Sequence, residues 1–159
     1  MNSQGLFTFL RNWMISVIPT LVVIRSHQNA PAPEGDYVSI EEGSWLPIGH
    51  ASKMVEDVAQ VNPKIFDYSV SIVLWEDANR NPNILTLTEA LEDQDAIDTF
   101  KASGVSVLSV GAIQELPRLQ DKDWKRERRV ELSMSVCRGH AGDNNKIESV
   151  EINDTLIGG

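Results

Sequence analysis

The run RVELSMSV, residues 129–136, alternates without a break. Val130, Leu132, Met134 and Val136 occupy one phase, and Arg129, Glu131, Ser133 and Ser135 the other. Successive side chains of a strand point to opposite faces, so this period of two predicts a strand with one face in a core and one in water. IFDYSVSIVLW, residues 65–75, repeats the pattern: Phe66, Tyr68, Val70, Ile72 and Leu74 stand opposite Asp67, Ser69 and Ser71. Strands half-buried in this way belong to an antiparallel sheet covered on one side. Working outward, short strands are predicted at 20–25 and 37–40. VSVLSVGAI at 105–113 offers apolar groups to both faces, as a central strand would. KIESVEI at 146–152 forms a last strand after RGHAGDNN, a stretch of hairpin-forming glycine and asparagine.

Between and before these strands the period changes. Leu6, Phe9, Leu10, Trp13, Met14, Val17 and Ile18 recur at the spacing of one helix face, predicting a helix over 4–18 with Ser3 as its cap and Pro19 as its stop. The apolar run 12–24, with Arg11 before it and NAPA after it, loosely imitates a secretory leader. It is too short to span a bilayer, which needs roughly 20 apolar residues, and the helical spacing explains more of it. Leu87, Ala90, Leu91, Ile97 and Phe100 predict a helix over 84–103 ended by Gly104, and a further helix begins in GHASKMVEDV after Gly49. The fold class is therefore α+β: a mostly antiparallel sheet flanked by two or three helices. The chain reads as a single domain over 1–159. It comprises the N-terminal helix 4–18, a proline-rich arm 26–35, a sheet-and-helix core 36–152 and a short tail 153–159, without internal repeats.

Charge narrows the function. Fourteen basic against 23 acidic side chains leave a net charge of −9, which repels phosphate backbones and disfavours tight nucleic-acid binding over the surface as a whole. The single Cys137 can form no intramolecular disulfide and reads as a buried, inert thiol in a reducing compartment. His27, His50 and His140 lie scattered in loops, without the spacing of a metal site. Glu56 and Asp57 are neighbours on a helix, so they point apart and make no carboxylate pair. No phosphate loop, nucleophile elbow or Cys/His arrangement occurs. The expectation is a protein without catalytic residues, cofactor or metal.

Two segments stand out instead. In VIRSHQNAPAPEGDYVSI, residues 23–40, Pro31 and Pro33 fix their own φ and push Ala30 and Ala32 to extended conformations. The result is a stiff polyproline-like arm, turned by Gly35 into the strand at Tyr37. Such an arm loses little entropy on docking. In GAIQELPRLQDKDWKRERRVELSMSV, residues 111–136, a loop of interleaved charges carries more Arg than Lys, which suits bidentate bonds to carboxylates on a neighbour. Trp124 there is a candidate interface anchor.

The order of N-terminal helix, IRSHQNAPAPEGDYVSI, the 104–136 unit and the closing IESVEI strand resembles the neck and tail-terminator proteins of tailed bacteriophages, over most of the chain. Its most specific pieces are Gln28, Asn29, Pro31, Pro33 and Tyr37, then Leu116, Pro117, Trp124 and an arginine that is either Arg126 or Arg128. Asp36 stands where the pattern has proline. The resemblance implies a structural virion protein in the tail and neck, assembled in the host cytoplasm. It implies a homo-oligomeric ring, expected to be a hexamer, that ends the tail tube and joins it to the head-tail connector. Tube protein is its neighbour, with sheath where the tail has one. DNA passes through the lumen, and there is no membrane contact. Arg25, Gln28, Asn29, Pro31, Pro33, Tyr37, Leu116, Pro117, Arg118, Trp124, Arg126 and Arg128 are the expected interface residues. A second resemblance, of WKRERRVELSMSV and GHAS to the peptidoglycan-binding domain of OmpA-like proteins, fits less well: no strand-like run precedes PIGHASKM.

Overall fold

The computed structural model describes residues 1–26, 31–48, 67–120 and 122–137. Helix α1 spans Ser3–Val17. Strands β1 (Val22–Arg25), β2 (Tyr37–Ile48) and β3 (Asp67–Asp77) follow, then helices α2 (Asn83–Ala90) and α3 (Gln94–Ala102), then β4 (Val105–Val110), β5 (Gln114–Gln120) and β6 (Asp123–Cys137). The strands form one sheet in the order β1-β2-β3-β6-β4, with β5 also on β6. Every pairing is antiparallel except β1 with β2. The α+β class is thus as the alternation predicts.

The two alternating runs lie side by side at the centre. β3 and β6 pair from Asp67↔Cys137 to Asp77↔Glu127, which sets Val70, Ile72 and Leu74 beside Met134, Leu132 and Val130 in one inward row. All six are buried, together with Leu6, Leu10 and Met14 of α1, Ile84 and Leu87 of α2, and Phe100 of α3. The helices therefore cover one face, and the serine phase faces away from them. Phe100 meets Phe9 and Trp13 edge-on, with ring centroids 4.9 and 5.1 Å apart, and so fastens α3 to α1.

Several expectations need correction. The cap of α1 is Asn2, whose Oδ1 accepts from the Gly5 N–H at 2.8 Å. Ser3 lies inside the helix and gives its hydroxyl to Glu42. The expected helix 84–103 is two helices: the chain leaves the helix after Ala90 and restarts at Gln94. Residues 105–113 are no central strand. β4 lies at the sheet edge and ends at Val110, with a register shift between Val107 and Ser109 that leaves Leu108 as an extra residue. The charged stretch after Leu116 is no loop, because β5 and the start of β6 pair from Gln114↔Arg129 to Gln120↔Asp123. Cys137 is half-buried rather than fully buried. The expected helix after Gly49, the strand at 146–152 with its preceding loop, and all three histidines lie outside the described residues.

Candidate functional site

β6 is longer than the sheet that holds it. Its partner β3 ends at Asp77↔Glu127, so residues 123–126 run past the last β3 pair as a ribbon with β5, with one more bond from the Ala78 N–H to the Arg126 carbonyl at 3.0 Å. Four residues at about 3.3 Å each carry the ribbon roughly 13 Å past the sheet. At its turn Lys122 adopts φ 73°, a left-handed conformation that a two-residue hairpin demands. The inward phase of β6 runs on past Val130 as Arg128, Arg126 and Trp124, paired across the ribbon with Glu115, Pro117 and Leu119. None of the described helices reaches that far, and Trp124 is 69% exposed and Leu119 56%.

The root of the ribbon is fixed by ions. Glu76 occupies the inward phase after Leu74 and is buried, and its cross-strand partner is Arg128. Arg128 Nε donates to Glu76 Oε2 at 2.8 Å, while its Nη1 and Nη2 donate to the carbonyls of Ala78 at 3.0 Å and Arg80 at 2.8 Å. Glu76 Oε1 accepts the N–H groups of Asn83 and Ile84 at 3.1 and 3.2 Å. Those amides open α2, which has no side-chain cap of its own, so the carboxylate serves as the cap and faces the positive end of the helix. Burial raises the pKa of Glu76 above the usual carboxylate range; Arg128 and the two amides pull it back without cancelling that effect.

On the opposite face, Arg118 sits 4.4 Å over the Trp75 ring and pairs with the buried Glu127 at 3.3 Å, while Arg129 lies 5.4 Å from the same ring. Trp75 Nε1 donates to Glu41 at 2.7 Å. Tyr37 begins β2 at this end, and its hydroxyl pKa is raised by burial and then by the nearby carboxylates of Glu127 and Asp77. Asn81 donates to Asp36 at 2.7 Å. The end of the proline arm and the root of the ribbon therefore meet at one end of the sheet.

The expected interface residues fall into three groups. Arg25, Arg118 and Arg128 bond within the subunit: Arg25 donates to Glu42 at 3.2 Å and to the Ser3 hydroxyl at 2.7 Å, with Phe7 under its guanidinium. Pro31, Pro117, Trp124 and Arg126 are exposed, and Pro33, Tyr37 and Leu116 half-buried. The Arg126 guanidinium pairs with the exposed Glu115 at 3.4 Å. Gln28 and Asn29 lie outside the described residues. Sequence reasoning missed Glu76, Glu127 and Trp75. A signal for Glu76 existed, since it is a carboxylate in the apolar phase of β3. Among the described residues no three His, Cys, Asp or Glu gather as metal ligands, and no helix is long and apolar enough to cross a membrane.

Residues 4–159 match a family described as phage neck terminator protein. No curated protein is similar to the chain. One solved structure, of a protein known only by an identifier, covers 82% of this chain and 89% of its own at 15% identity and a TM-score of 0.41, a likeness too distant to carry an argument.

Proposed function

Because the chain belongs to the phage neck terminator proteins, a family of structural virion components, we propose that it forms a ring at the head-proximal end of the tail. There it ends the tube, meets the head connector and leaves a channel for the genome. The family match over nearly the whole chain is the observation that carries this reading. Three features support it. A closed ring needs a heterologous interface, in which two different patches of one subunit meet on neighbours. The projecting β5–β6 ribbon and, beside its root, the described end of the proline arm offer edges to such neighbours. The net charge of −9 suits a passage through which DNA slides without sticking.

In this reading Pro31, Pro33, Leu116, Pro117, Trp124 and Arg126 touch neighbouring subunits or rings, together with Gln28 and Asn29. Arg25, Tyr37, Arg118 and Arg128 hold the edges in shape from inside. Chemistry on a substrate has no part in it. Hexameric stoichiometry, contact with tube protein and assembly in the host cytoplasm belong to the same proposal. Negative-stain microscopy of the purified chain, with light scattering for mass, is the test. Rings with a central hole are expected, and a chain that stays monomeric at tens of micromolar and fails to bind tail ends refutes the proposal.

A further inference from the structure

The tip of the ribbon has a counterpart on the same chain. Edge strand β4 and helix α3 enclose an open groove of about 360 Å³ lined by Leu91, Ile97, Phe100, Val107, Leu108 and Val110. Ile97 is 38% exposed, Leu108 58% and Val110 42%, and the three form an apolar strip along the groove. Val110 points to the helix side, since it pairs with Leu132 in the inward row, yet α3 does not cover it. Glu92 and Lys101 line the groove, and Glu89, Asp93, Asp95 and Asp98 are exposed on the same helical stretch, so its surroundings carry a net negative charge. Among its described residues the ribbon tip is net positive, with Lys122, Lys125 and Arg126 against Asp123 and Glu115 around the apolar pair Leu119 and Trp124.

One chain cannot bring these surfaces together. β6 links them as a continuous strand, and Leu132, the level of Val110, lies eight residues from Trp124. At about 3.3 Å per residue that is roughly 26 Å of paired ribbon pointing away from the groove. A tip and a groove that match in polarity and charge, but only between molecules, define a head-to-tail contact.

We propose that the β5–β6 tip of one subunit docks in the α3–β4 groove of a second copy, with Trp124 and Leu119 in the apolar strip and Arg126 beside Glu92. This rests on the ring reading and names the two patches that would close the ring. A desolvated tryptophan anchor of this kind typically weakens association by roughly 30-fold or more when truncated. Trp124 is exposed in the subunit, so its loss leaves folding intact, which circular dichroism verifies.

The test uses full-length chains carrying Cys137→Ser, one with Trp124→Cys and one with Leu108→Cys. On oxidation the mixture is expected to cross-link while neither chain alone does. Separately, Glu92→Arg and Arg126→Glu are each expected to weaken assembly, and the double variant to restore it. Rings that form without the mixed cross-link overturn the docking and leave the ring reading standing. Cross-linking of the Trp124→Cys chain with itself means tip-to-tip contact, and also overturns it. Trp124→Ser rings of undiminished stability that no longer join heads assign the tip to another virion protein, and likewise overturn the docking. Absence of any association refutes ring and docking together.

Discussion

Replacing Arg128 by methionine tests the ion pair at the root of the ribbon. The substitution keeps much of the aliphatic stem, whereas it removes a guanidinium that is 14% exposed from a carboxylate that is 1% exposed. Breaking one side of a buried pair strands the other charge, at a typical cost of 3–5 kcal/mol, about ten times that of an exposed i,i+4 pair. In a domain of this size each kcal/mol moves Tm by about 2–4 °C, so the expected drop is roughly 6–20 °C. The penalty also depends on pH. Glu76 holds its proton more tightly in the fold than in the unfolded chain, because burial raises its pKa. Its contribution to stability is therefore complete below the unfolded carboxylate pKa of about 4.3 and is lost as pH rises through the raised folded value. Arg128 opposes that loss. Without it the folded pKa climbs further, and the variant loses more stability at pH 7.5 than at pH 5. Urea denaturation at both pH values, with Glu76→Gln and the double variant completing a cycle, measures the effect. A loss below about 1 kcal/mol at pH 7.5, or an equal loss at both pH values, refutes the reasoning.

Two further outcomes are expected from the subunit alone. Asn2→Ala removes the α1 cap and lowers stability by about 0.5–2 kcal/mol, measured by the same denaturation, while Ser3→Ala changes no cap. The Cys137 thiol has its pKa raised by burial and then by Asp67, an effect the N-terminal ammonium partly offsets. Labelling by iodoacetamide at pH 8 is therefore slower in the folded chain than in urea, and equal rates would count against the placement.

The central pairing was legible in the sequence because Val70, Ile72 and Leu74 and their counterparts Val130, Leu132 and Met134 repeat with a period of two, and burial of one face enforces that register. The edge position of β4 was hidden, since VSVLSV reads as apolar on both faces whether helices cover it or nothing does. The break after Ala90 was hidden as well, because its apolar spacing carries straight through both helices.

Local pattern thus determined which residues turn inward and which class of fold results. Tertiary structure alone decided which of Arg126 and Arg128 meets a buried carboxylate and which an exposed one, for both share the phase of Val130 and only strand length separates them. Arg128 still lies beside β3, where Glu76 takes its charge out of water. Arg126 is two residues farther along, past the last pair that β3 makes, and remains exposed at the surface.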